Sequence, residues 1–161
     1  MAKVIVIYES KYGNTLRAAE KIAEGIKQSG GFEVSVSHIK KLNPKQLSEY
    51  DILLMGCPTH MGGPTRDTRN LLGKLGKLNL NGKTMAFFNC WSAAECEGKS
   101  VRILEEKLRQ QAPGIRLISP GLSIKVPTMK GPFDDSELAR CLEFGKNLAA
   151  QFKKQPAVSR T

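Results

Sequence analysis

Val4-Ile5-Val6-Ile7-Tyr8-Glu9-Ser10-Lys11-Tyr12-Gly13-Asn14-Thr15-Leu16 joins four consecutive β-branched residues to a stretch of helical periodicity, Leu16, Ala19, Ile22, Ala23 and Ile26. An unbroken apolar run of this kind suits a strand covered on both faces, and apolar positions three and four apart suit a helix with one buried stripe. A strand that runs directly into a helix leaves the first backbone N–H groups of that helix without partners, where the helix dipole is positive. A turn so built can hold an anion, above all a phosphate. Gly13 tolerates a positive φ, and Ser10, Asn14 and Thr15 add short side chains that donate hydrogen bonds. The same residues also read as an ordinary strand-to-helix turn capped by Asn14 or Thr15. The run alone leaves both readings open.

Strand and helix patterns alternate from there to the end of the chain. The expected strands are 3–8, 32–38, 51–56, 84–89 and 115 to about 124. In the second, Phe32, Val34 and Val36 alternate with Glu33, Ser35 and Ser37, which predicts an edge strand with one wet face. The first helix ends at Gly30-Gly31. Further helical stripes are Leu71, Leu72, Leu75 and Leu78; Val101, Leu104 and Leu108; and Leu138, Leu142, Gly145, Leu148 and Phe152. Asn43-Pro44 reads as a cap and first position of a short helix. Alternation with right-handed crossovers predicts an α/β fold, a doubly wound three-layer α/β/α sandwich around a five-stranded parallel sheet.

With 161 residues and 40% hydrophobic content, the chain suits one domain. The expected limits are 1–153 for the domain and 154–161 for a basic C-terminal tail. No stretch has the length of a membrane span, and Met1-Ala2-Lys3 leads straight into a strand, so the expectation is a soluble, cytoplasmic protein without membrane insertion. Cys57, Cys90, Cys96 and Cys141 form no CxxC pair and are expected to be free thiols, Cys57 and Cys141 in the core and Cys90 and Cys96 more exposed. The formal charge is +10. Lysines and arginines are spread over nearly every segment with few aromatics among them, which argues against nucleic acid and leaves an acidic protein partner as the more specific reading.

In such a sheet the loops after the carboxyl ends of the strands gather on one rim. Three suit a ligand: 10–15, 57–64 and 89–96. The motif Tyr8-x-Ser10-x-Tyr12-Gly13-Asn14-Thr15, the Tyr50-Asp51 pair and Gly56-Cys57-Pro58-Thr59 resemble the flavodoxin family over about residues 3–152. Trp91-Ser92, Pro120-Gly121-Leu122 and Glu143-Phe144-Gly145-Lys146 are similar to the flavodoxin domain of flavo-diiron proteins, here expected to stand alone. The resemblance implies the strand order 2-1-3-4-5 and flavin mononucleotide (FMN) as cofactor. It implies that Ser10, Lys11, Tyr12, Gly13, Asn14 and Thr15 hold the FMN phosphate. Pro58, Thr59, His60, Met61, Gly62 and Gly63 would flank the flavin ring on one side, and Asn89, Cys90, Trp91 and Ser92 on the other. Within that set Trp91 either stacks on the ring or plugs the loop onto the sheet. His60 or Met61 covers the opposite face, Gly62-Gly63 supplies either a rotatable peptide or a plain turn, and Asn89 and Ser92 reach the pyrimidine edge through backbone or side chain.

Other chemistries fit less well. Cys57-x2-His60 and Cys90-x5-Cys96 do not combine into a usual zinc pattern. The chain lacks G-x-x-x-x-G-K-[ST], G-x-G-x-x-G and G-x-S-x-G, and has only His38 and His60 for histidine-based catalysis. The leading expectation is therefore an FMN-binding electron-transfer protein working between a reductase and an acceptor, with redox proteins as partners. The alternative is an enzyme, an NAD(P)H-dependent quinone reductase or related FMN oxidoreductase, with NAD(P)H and a quinone as partners. Oligomeric state is left open.

Overall fold

The computed structural model describes residues 1–154. The strands are β1 (Ala2–Tyr8), β2 (Phe32–His38), β3 (Ile52–Pro58), β4 (Thr84–Trp91), β5 (Arg116–Leu117) and β6 (Leu122–Lys125). The helices are α1 (Asn14–Gln28), α2 (Arg66–Leu75), α3 (Lys99–Gln111) and α4 (Asp135–Lys154). All strand pairs are parallel, in the order β2-β1-β3-β4-β5, with β6 also paired to β4. This is the expected α/β architecture. The expected tail at 154–161 lies, apart from Lys154, outside the described residues.

Two cores flank the sheet. Val4, Val6, Ile52, Leu54, Ala86 and Phe88 face α1 and α4 on one side, while Ile5, Ile7, Leu53, Met55, Met85 and Phe87 face α2 and α3 on the other. That alternation is why the central strands read as continuous apolar runs. In α1 the stripe is Ala18, Ala19, Ile22, Ala23 and Ile26, with Leu16 only half-buried. Burying Ile22 and Ile26 contributes about 1.5–3 kcal/mol each, which outweighs their slightly weak helix propensity. Helices α1 and α4 approach closely because Gly25 lies on the Leu142 carbonyl and Gly145 on the Ile22 carbonyl, so Gly145 serves contact rather than apolar burial. As expected, β2 is an edge strand, and Asn43 caps the short 3-10 helix Pro44–Glu49, its Oδ1 accepting from the Lys45 N–H at 3.1 Å.

Three boundaries differ from the sequence expectation. The fifth strand is split into β5 and β6, because Pro120 has no N–H for the ladder and the Gly121 N–H donates to Glu105 Oε2 at 3.0 Å on α3. Strands β3 and β4 run two residues further than expected, the ladder continuing through Cys57 opposite Asn89 and Pro58 opposite Cys90. The third loop therefore starts at Ser92. Finally, α1 begins at Asn14, and Gly13 at φ 90° is its N-cap, with no capping by Asn14 or Thr15.

Candidate functional site

The ends of β1, β3 and β4 open into a cavity of about 400 Å³. Its walls include Ser10, Lys11 and Tyr12 from the first loop with Asn14 and Thr15 at the start of α1, Pro58 at the end of β3 with Thr59, His60 and Met61 from the second loop, and Cys90 and Trp91 at the end of β4 with Ser92 from the third. Of the residues expected at the site, Gly13, Gly62, Gly63 and Asn89 do not line it. Val126 and Met129, which were not expected, do. They belong to the segment after β6. Its Pro127, Gly131 and Pro132 mark it in sequence as another loop on the same rim, a signal the reading passed over.

The first loop is wound as an anion cradle. The positive φ of Gly13 turns the chain so that the backbone N–H groups of Lys11, Tyr12, Asn14 and Thr15 have no acceptor among the described residues, the last two at the positive end of α1. Gly13 N–H donates to Ser10 Oγ at 3.0 Å, which leaves the Ser10 hydroxyl proton to donate elsewhere. Asn14 has a further role. Its side-chain amide donates one N–H to the Lys130 carbonyl at 3.0 Å and so fastens the loop after β6, with the second N–H left over. Arg17 strengthens that attachment, giving a hydrogen bond to the Phe133 carbonyl at 2.6 Å and packing its guanidinium 4.5 Å from the Phe133 ring centroid.

Residues 60–63 form a tight turn. His60 and Gly63 exchange N–H···O bonds of 2.9 and 3.0 Å, with Met61 at φ 52° and Gly62 at φ 78°, the geometry of a type I′ turn. The Gly62–Gly63 peptide thus has its N–H engaged with His60. Two cations press on this turn: a Cβ on Gly62 would stand 3.1 Å from Lys99 Nζ, and one on Gly63 2.7 Å from Arg69 Nη2.

At the end of β4, successive side chains face opposite layers. The Asn89 side chain is wholly buried toward α3, which leaves only its backbone for a ligand's edge; its Nδ2 donates to Thr59 Oγ1 at 3.0 Å, and Thr59 Oγ1 meets Ser100 Oγ at 2.9 Å. Ser100, which the sequence reading missed, thereby ties the second loop to α3. Cys90 points the other way. It is buried rather than exposed, and burial pushes its thiol up to about 12 while the Thr15 hydroxyl pulls against that shift. Cys57 is on the opposite side of the sheet, its thiol also raised to about 12 by burial. Trp91 is 8% exposed, and its buried Nε1 has no hydrogen-bond partner among the described residues.

The cavity is thus chemically divided. One end offers backbone N–H groups, the Ser10 hydroxyl and Lys11; the rest is largely Pro58, Trp91, Val126 and Met129, and no carboxylate among the described residues lines any of it. Its volume is that of a small-molecule site. A flat aromatic ring system carrying a phosphate fits this cavity, and FMN is such a molecule.

Comparison with known proteins gives the same result. A family model described as Flavodoxin matches residues 6–145. A flavodoxin of Clostridium saccharobutylicum is 27% identical over 125 residues, 78% of each chain. The crystal structure of oxidised Flavodoxin 2 from Bacillus cereus superposes with a TM-score of 0.80 at 27% identity, covering 94% of this chain and all of that one. The Flv1 flavodiiron core from Synechocystis sp. PCC6803 superposes with a TM-score of 0.76 at 25% identity, over 95% of this chain and 36% of that one. With the family model spanning most of the chain and the sheet order, phosphate-type turn and cavity in agreement, this protein belongs to the flavodoxin family.

Proposed function

We propose that the chain binds FMN in the cavity described above and carries electrons between a reductase and an acceptor protein. The observation that carries this reading is the cradle at 10–15, where unpartnered backbone N–H groups converge beside the N-terminus of α1 at the foot of an apolar cavity. In this reading Ser10, Lys11, Tyr12 and Thr15 hold the phosphate, with Gly13 shaping the turn between them and Asn14 fixing the loop after β6. Several N–H and O–H donors share the charge of a phosphate monoester without a metal. Pro58, Thr59, His60, Met61, Cys90, Trp91 and Ser92 border the ring. Gly62 and Gly63 shape the turn beneath Met61, and Asn89 acts through Thr59.

When bound, FMN supplies one- and two-electron redox chemistry. The chain's own part is to bind the phosphate, to keep water from the apolar end of the cavity, and to set the charge around it. The reading takes residues 1–153 as the binding domain, a redox protein as partner and the cytoplasm as the setting, in keeping with free cysteines at 57, 90, 96 and 141. No helix among the described residues is long and apolar enough to cross a membrane.

The test is the absorption spectrum of the purified protein, followed by titration of the cofactor-free chain with FMN and with riboflavin. Tight FMN binding and much weaker riboflavin binding are expected. Equal affinity for the two would remove the cradle's assigned role.

A further inference from the structure

Among the described residues, the large hydrophobic side chains left exposed are Met1 at the chain's start, Tyr12, Met61 and Met129. The last three come from separate loops and all stand on the same cavity. Clustered apolar exposure of this kind marks a contact surface. Met61 makes the point most clearly, because its side chain is wholly exposed and its backbone is held at φ 52°, a conformation that Gly or Asn adopts at lower cost. Neither the core nor the turn has need of a methionine there.

Each of the three has a cation beside it. Lys11 Nζ lies 5.4 Å from the Tyr12 ring centroid. Lys99 Nζ rests against Gly62, the neighbour of Met61. Lys130 follows Met129 in a segment anchored by Asn14. Lys11, Lys99 and Lys130 are exposed, and none takes part in the ion pairs found among the described residues. Carboxylates on this rim are Glu9 and Asp67, which line an adjoining cavity with Met61, Arg66 and Arg69, and Glu95 and Glu97, exposed on the loop after β4.

We propose that this apolar cluster with its three cations is the docking surface for a redox protein whose contact face is an apolar patch bordered by Asp and Glu side chains. The proposal rests on the electron-carrier reading and names the chemistry of its partner. Long-range attraction between the cationic rim and an acidic face raises the encounter rate and orients the approach. Tyr12, Met61 and Met129 then exclude water at the cavity mouth. A basic partner would meet Lys11, Lys99 and Lys130 as like charges.

The FMN-loaded protein is titrated at low and high salt with an acidic plant-type [2Fe–2S] ferredoxin and, as the basic probe, with cytochrome c. Ferredoxin is expected to bind the more tightly and to weaken at least ~10-fold from low to high salt. At low salt, Lys99→Glu with Lys130→Glu is expected to weaken it by a similar factor, and Met61→Gln severalfold at either salt. Lys27→Glu with Lys77→Glu makes the same change in net charge at the opposite rim and is expected to have far less effect. Tighter binding of cytochrome c, an equal loss in the Lys27/Lys77 pair, or no change in Met61→Gln would each overturn the proposal. Absence of FMN uptake, read from absorption beforehand, counts against the cofactor reading; failure of these titrations on loaded protein counts against the docking surface.

Discussion

The side-chain amide of Asn14, in the first turn of α1, donates to the carbonyl of Lys130, 116 positions away, at 3.0 Å. One hydrogen bond thus joins the loop that would hold the phosphate to a loop that walls the apolar end of the cavity, and Arg17 reinforces it through the Phe133 carbonyl. Asn14→Asp keeps the shape but replaces the donor with an acceptor and puts a negative charge beside the cradle. The expected result is FMN affinity reduced at least ~10-fold, with Asn14→Ala losing less and about 1 kcal/mol of stability gone from either variant. Fluorescence titration and urea unfolding measure the two effects separately. An Asn14→Asp protein that binds FMN like the parent would show the tie to be dispensable.

The donor set makes a second expectation specific to the phosphate. Ser10 and Thr15 each present a hydroxyl at the cavity, and hydrogen bonds to a charged group are worth about 1.5–3 kcal/mol each. Ser10→Ala combined with Thr15→Ala is therefore expected to weaken FMN at least ~100-fold, since about 1.4 kcal/mol is tenfold. Riboflavin, which lacks the phosphate, should change little. Parallel titration of both ligands is decisive, because a general collapse of the cavity would weaken them alike.

How far the sequence carries the structure depends on the range of the interaction concerned. The β1–turn–α1 unit was legible because its signals are local: a β-branched run, a glycine able to hold φ 90°, and a stripe at helical spacing. Asn89 was misplaced because the end of β4 depends on how far its ladder with β3 continues, and two further pairs turned a presumed loop residue into a buried strand residue facing α3. The tie from Asn14 to Lys130 is not legible in the sequence, because its acceptor lies on a segment with no periodicity to mark it. Val126 and Met129 were missed for the same reason. Ser100 gave no signal at all, since a serine in the first turn of a helix is ordinary until Thr59 is seen against it.

The buried thiols fix how stability depends on alkaline pH. Cys57, Cys90 and Cys141 are each raised from 9.0 to about 12, foremost by burial. Below pH 9 both folded and unfolded chains keep these protons, so the thiols have no effect on the pH dependence. Between pH 9 and about 12 the unfolded chain releases protons that the folded chain retains, and stability falls as pH rises, by about 1.4 kcal/mol per pH unit for each thiol. Denaturant unfolding at stepped pH should show this decline, and Cys141→Ala should reduce its slope by about one third. At pH 8 only Cys96, the one cysteine that is not buried, is expected to react promptly with a thiol reagent. Rapid modification of three or four thiols in the native protein would contradict the burial on which this rests.

The last expectation concerns the energy of the electron. Adding electrons to a bound flavin adds negative charge, and this chain carries a formal net charge of +10, with Lys99 and Arg69 pressed against the turn at 60–63 and Lys11 in the cavity wall. A cation lowers the energy of nearby negative charge, so the second-electron potential is expected to lie above that of a family member with an acidic surface. Contributions from exposed charges fade once the Debye length falls to about 3 Å at 1 M salt, and the potential should drop accordingly. Spectroelectrochemical titration at 0.05 and 1 M salt measures both quantities, and Lys99→Met should reproduce part of the drop at low salt. A very low potential that ignores both the salt and the substitution would mean that hydrogen bonding at the ring, and not the cationic surroundings, sets the energy of the reduced protein.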